Sequence, residues 1–253
     1  MLLRAGGANA SLVLRQLLLP PLVWRAGKTA AAVRFAAVTA LATMLRHQLA
    51  PADVLLELMS TSASRPPQEQ QPQDQQPQEQ QQQQPQQQQG ASAPPPGAGQ
   101  LLPLVLQCLD EDWYADVRLT ACAVMAQLME ALGGRLSAEQ LRSVYPELLK
   151  RLDDSSNGVR VAACGALRAF VGAAGAGYCA TNAGYLAAGV VIHMDDSDPG
   201  VAEAACGVLE ALAGTHPGVV GAEVGRARET FRGKHWCDRV LARCGGAGKA
   251  QQQ

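Results

Sequence analysis

The apolar positions along the chain follow a helical period, and the period itself repeats. Val117, Thr120, Ala121, Val124, Met125 and Leu128 stand at i, i+3, i+4, i+7, i+8 and i+11, the buried face of one α-helix. Val159, Ala162, Ala163, Ala166, Leu167 and Phe170 restate that template 42 residues later, and Val201, Ala204, Ala205, Val208, Leu209 and Leu212 restate it after another 42. A fourth copy, Val33, Ala36, Ala37, Ala40, Leu41 and Met44, lies 84 residues ahead of Val117, but a tract of different composition falls between them, so the doubled spacing reads as coincidence.

Each copy follows a second apolar stretch and an acidic turn. Leu148, Leu149 and Leu152 precede Asp153-Asp154, Val190, Val191 and Met194 precede Asp195-Asp196, and Leu102, Val105, Leu106 and Leu109 precede Asp110, Glu111 and Asp112. Asp116 and Asn157 stand as N-caps, Asp198 followed by Pro199 gives a cap with proline at the first helical position, and Gly133-Gly134 and Gly172 to Gly177 close the second helices. Two antiparallel helices per ~40 to 47 residues is the period of HEAT and armadillo α-solenoids. The pattern therefore predicts an all-α solenoid of about four antiparallel helix pairs, with a further helix near Pro51 to Met59 and a capping helix around His235 to Cys244.

Between Arg65 and Gly99 the chain is nearly all Gln, Pro, Gly, Ala and Ser. Too few apolar side chains stand there to offset the entropy of ordering, so the expected organisation is a flexible tail at 1–10, a first repeat plus linker helix at 11–64, a disordered Gln/Pro-rich insertion at 65–99, three repeats with the cap at 100–244, and a flexible tail at 245–253.

Composition narrows the function. Hydrophobic residues make up 47% of 253 positions but aromatics only 4%, which requires close packing of Ala, Leu and Val. The formal net charge of -1 gives no whole-chain attraction to nucleic acid or anionic lipid. Seven cysteines, an odd number at low density, suit a reducing compartment. The most apolar run, Leu12 to Val23, is interrupted by Arg15, Gln16 and Pro20-Pro21, so no membrane span is expected. Arg4, Arg15, Arg25, Lys28, Arg34 and Arg46 all precede the first acid, Asp53, as in a transit peptide, yet the same segment carries the repeat pattern, and the folded reading is preferred.

Candidate chemistry is sparse. Cys122, Cys164 and Cys206 share one register, but equivalent positions on stacked helices lie about 8 to 10 Å apart, too far to bridge or to share a metal, so they read as small buried apolar groups. His235, Cys237 and Cys244 match no zinc spacing. Gly175-Ala176-Gly177 with Ala180 follows a helix instead of a strand, and Gly245 to Lys249 lacks the hydroxyl residue and following helix of a phosphate loop. No catalytic, cofactor-binding or metal-binding set emerges. The turn acids with Arg118 and Arg160 read as a structural ladder between repeats, and Ala202 in the last copy reads as a terminal repeat with no onward neighbour. The protein-contact candidates are the large aromatics near loop ends: Trp24, Trp113, Tyr114 and Trp236.

The segments LLLPPLVWRAGKTAAAVRFAAVTAL, from Leu17 to Leu41, and YPELLKRLDDSSNGVRVAA, from Tyr145 to Ala163, resemble the C-terminal repeats of the dynein axonemal assembly factor five family of HEAT-repeat proteins. The resemblance covers Leu12 to Met59 and Leu101 to Cys244; the glutamine insertion departs from the family pattern. It implies a cytoplasmic, non-catalytic scaffold for preassembly of axonemal dynein arms, with dynein chains, chaperones and other assembly factors as partners; the charge balance and the interrupted apolar runs, for their part, leave nucleic acid and membrane out. It brings no catalytic residues to carry over. A general HEAT adaptor for transport or for a phosphatase would share every feature read from the residues.

Overall fold

The computed structural model describes residues 9–59, 101–111 and 114–250, and every regular element within them is a helix. The first, α1 (residues 9–22), includes a π-helical turn at Leu14–Leu18, just ahead of Pro20 and Pro21, whose nitrogens cannot donate to the preceding turn. It is followed by α2 (Lys28–Arg46), α3 (Ala52–Met59), α4 (Leu101–Leu109), α5 (Ala115–Leu132), α6 (Ala138–Lys150), α7 (Asn157–Ala174), α8 (Ala180–Val191), α9 (Pro199–Ala213), α10 (Pro217–Arg228) and α11 (Lys234–Ala250).

These helices form two layers. The second helices of the pairs, α2, α5, α7, α9 and α11, stack in chain order, each against the next. The first helices, α1, α4, α6, α8 and α10, stack in parallel order behind them. The register positions read from sequence supply the seam: Val117, Ala121, Val124, Met125 and Leu128 on α5, with their counterparts on α7 and α9, are at most 1% exposed. Alanines and cysteines at the contacts let helix axes approach closely, which is how a chain poor in aromatics reaches interior density.

The helices α3 and α4 together occupy the place of one first helix. Both pack on α5, α3 beside its end, where Asp53 pairs with Arg135, and α4 beside its start, where Glu111 offers its carbonyl to Arg118. Their eight and nine residues flank the eighteen of α5. The Gln/Pro-rich insertion lies outside the described residues, but its borders split a helix of the second repeat instead of separating a linker helix from the next pair.

The structure revises the sequence reading elsewhere. A fifth pair, α10 and α11, stands where only a cap was expected. The expected tail at 245–253 is helical through Ala250, and Asn9 and Ala10 of the expected N-terminal tail are helical, Ala10 being buried. Each glycine in Gly245 to Gly248 costs about 1 kcal/mol of helix propensity, which does not stop a helix already seated through Cys237 and Val240. Asp198 caps α9 as expected, accepting from the N–H groups of Gly200 and Val201. Asp116 instead lies inside the first turn of α5, whose N-cap is Tyr114, and Asn157 is the first residue of α7, its amide drawn away to Asp198 of the next repeat at 2.6 Å. In the fourth copy, Val33 is 49% exposed and Ala40 is also exposed, because among the described residues α2 has a second-helix neighbour, α5, on one side only.

Among the described residues, α2 alone is long and apolar enough to cross a bilayer. Here it packs against α1 and α5 with a buried, ion-paired arginine, Arg34, in its first half.

Candidate functional site

The acidic turns and the arginines at the second position of each Val-Arg pair join successive repeats. Arg118 binds Asp154 of the next turn with two parallel bonds, Nε to Oδ2 at 2.6 Å and Nη2 to Oδ1 at 2.8 Å, and donates from Nη1 to the Glu111 carbonyl of its own turn at 2.7 Å. Arg160 repeats the device, pairing with Asp196 and donating from Nε to the Leu152 carbonyl at 2.8 Å and from Nη1 to Asn157 at 3.1 Å. Burial works against ionisation of Asp154 and Asp196, yet bonds from Arg118 and the Ser156 N–H, and from the Asp198 N–H and Arg160, hold both carboxyls below the ordinary value.

A third rung, which the sequence reading missed, joins Arg34 to Glu111, with Nε to Oε2 at 2.7 Å. Arg and acid are 36 residues apart in the other two rungs and 77 in this one. Removing the stretch between Met59 and Leu101 restores 36, so the doubled spacing of the fourth copy is the repeat itself with an insertion added. The signal was present in Val33-Arg34, which matches Val117-Arg118. The expectation for Ala202 is also corrected. An onward neighbour exists, and the joint is closed with the roles exchanged: Asp195 of the earlier turn accepts from the N–H groups of Arg232 and Gly233 at 3.1 and 3.0 Å and pairs with the Arg232 side chain.

The first rung differs from the others in what it leaves unbonded. Arg34 is 2% exposed and Glu111 1%, yet Arg34 Nη1 and Glu111 Oε1 have no hydrogen-bond partner among the described residues. Both residues line a cavity of ≈ 690 Å³ between the α1–α2 and α4–α5 turns, walled by Trp24, Ala31 and Tyr114 and rimmed by Arg25 and Lys28. Gly27, at φ +104°, sets the bend of this wall in a backbone region that other residues rarely adopt. Trp24 is 47% exposed and Tyr114 38%, so two of the four contact candidates meet at one opening. Trp113 lies outside the described residues. Trp236 stands apart: it is half-buried, tilted against the His235 ring at 4.5 Å and covered by Arg239 at 5.6 Å, which also bonds Glu210.

Along the exposed side of the second-helix layer runs a shallow groove floored by small residues. One part, ≈ 570 Å³, lies over Ala126, Ala162, Gly165 and Ala169; the next, also ≈ 570 Å³, lies over Ala204 and Gly207 beside Glu203, Glu210, Arg239 and Arg243. Arg168 and Ala211 belong to both. Cys122, Cys164 and Cys206 are fully buried, and burial pushes the first two thiols up to about 12 and the third to about 11. They stay protonated, as apolar filling.

Paired antiparallel helices, a repeating turn-to-helix ladder and a continuous seam define a HEAT-like α-solenoid. A HEAT-like repeat family model matches residues 115–170, which span α5, α6 and most of α7. A crystal structure of an engineered protein has the same fold, with a TM-score of 0.53 at 11% identity over 95% of this chain and 81% of that one. Among individual proteins, the chain is similar to dynein axonemal assembly factor 5 of Homo sapiens, 31% identical over 147 residues, and of Mus musculus, 29% identical over 148. The match covers 58% of this chain and 12 and 13% of those relatives, so it spans about an eighth of their length.

Proposed function

We propose that the protein is a non-catalytic HEAT-like scaffold in the assembly of axonemal dynein arms, acting in the cytoplasm before the arms reach the axoneme. What carries the reading is the conjunction of a two-layer solenoid with relatives that are themselves named dynein axonemal assembly factors. Its working parts are surfaces: the opening flanked by Trp24 and Tyr114, and the groove over the second helices. Dynein chains, chaperones and other assembly factors are the partners this reading expects.

The test is dynein-arm content in flagella with and without the gene, together with co-purification of the tagged chain from ciliated cells. Loss of arms and recovery of dynein chains are expected. Intact arms, with transport factors or phosphatase subunits recovered instead, would favour a general HEAT adaptor.

A further inference from the structure

The groove over the second helices changes character along its length. Leu119 on α5 and Val161 on α7 share one register and are 38 and 40% exposed. Each stands one turn ahead of a small groove residue on the same helix face, Ala123 and Gly165, whereas their counterpart on α9 is Glu203, one turn ahead of Gly207. The groove is therefore largely apolar over α5 and α7 and turns charged from Arg168 onward. At that end Arg239 is committed to Glu210 by two parallel bonds, at 2.7 and 2.8 Å. Arg168 and Arg243 line the same part and are exposed, and their side chains form no ion pair or hydrogen bond among the described residues. The two glycines of the floor are not required by the fold. Gly165 and Gly207 lie inside helices, where each is weaker than alanine, and neither has a positive φ. A Cβ on Gly165 would meet nothing within 4 Å, and one on Gly207 would make an ordinary contact with Arg168 Cδ at 3.6 Å. What their missing side chains leave is room on the outside.

We propose that this groove seats one amphipathic helix of a partner protein, its apolar stripe against Leu119, Val161 and the floor, its carboxylates against Arg168 and Arg243. The inference deepens the scaffold reading and rests on it. Charge complementarity sets the acidic end, because two arginines without counter-ions stand where the apolar part stops. The floor selects a helix over an extended segment. An extended chain needs partners for its main-chain N–H and C=O groups, and none of the residues lining either part of the groove is an Asn or Gln that could supply both. A helix brings its own main-chain bonds, and small residues beneath it let the axes approach closely. From α5 to α11 is three helix spacings, roughly 24 to 30 Å, which about 16 to 20 helical residues cover. Glu130, Glu203 and Glu210 line the same groove and disfavour a nucleic acid there.

The experiment is fluorescence anisotropy of the full chain with fluorescein-labelled peptides of about 18 residues at low salt. The reference peptide carries Leu and Ala at i, i+3, i+4 and i+7, Gln on the opposite face, and Glu beside the stripe in its last two turns. One control replaces those Glu by Lys, and another keeps them but places a proline at the centre, which breaks the helix. The reference is expected to bind about tenfold more tightly than either control. Gly165→Gln fills the groove from a position with open space above it, so it should weaken the reference by about tenfold without lowering the melting temperature. Arg168→Glu together with Arg243→Glu, both at exposed positions, should reverse the order of the Glu and Lys peptides. Undetectable binding of the reference, equal binding of the Glu and Lys peptides, full binding of the proline peptide, indifference to Gly165→Gln, or tighter binding of a thymidine oligonucleotide would each overturn the proposal. So would self-association of the chain, seen by sedimentation, that Gly165→Gln abolishes, since the occupant would then be a second copy. Synthetic peptides involve no dynein, so such a failure leaves the arm-assembly reading to its own test.

Discussion

At the residue scale, the ladder arginines matter through what they leave behind when removed. The Asp154 side chain is 2% exposed, and Arg118 supplies both of its long-range bonds. Arg118→Ala would leave that carboxylate only the Ser156 N–H and the Arg151 guanidinium at 3.9 Å, and should lower stability by about 3 kcal/mol, measured by denaturant unfolding. A loss under about 1 kcal/mol would mean that the rung is wet. The thiols give an independent check on burial. Cys179 is exposed at the start of α8, and N–H groups of Asn182 and Thr181 hold its thiol below the ordinary value, while burial keeps Cys108, Cys122, Cys164 and Cys206 above theirs. Alkylation of the native chain at neutral pH should label Cys179 first and those four only after unfolding, as read by peptide mass mapping.

At the scale of elements, deleting 65–99 should leave helix content and melting temperature nearly unchanged in circular dichroism. The borders of the insertion, α3 and α4, are already held in place by α5, and loop-closure entropy changes slowly with length. The second helices were legible because Val-Arg, Ala and Cys recur at fixed offsets on a strongly apolar face. The helix α10 was not: Gly218, Gly221 and Gly225 dilute its pattern, and only Val220 and Val224 are buried. The split first helix of the second repeat was hidden for a different reason, since neither half alone has the length of a partner for α5. The cavity beside the first rung was illegible altogether. Trp24 and Tyr114 were candidates, but their meeting depends on a contact across the insertion, and the unbonded atoms of Arg34 and Glu111 depend on the geometry of one ion pair.

At the scale of the whole molecule, acid should weaken the stack in two stages. Burial, only partly opposed by Asp153 at 3.9 Å, lowers the pKa of His193 below 6.5. The unfolded chain therefore binds that proton more readily, and stability should fall as pH drops below about 6.5 until the folded-state value is passed. Asp154 and Asp196 lie below 3.8, so their contribution is complete above that pH and is lost only as it falls through their lower folded values. Melting temperature against pH should show both declines, and His193→Gln should remove the first while sparing the second.

The direction in which the rungs lean has a mechanical consequence. Three guanidinium hooks reach forward, the first two into buried sockets and the third into a partly buried one, whereas the last coupling is reversed and its arginine side chain is 82% exposed. A load drawn along the long axis passes through these couplings in series, and the wet one yields first. Pulled from both ends, the molecule should shed α10 and α11 as a unit at low force, while the three hooked joints hold until the spine itself gives way.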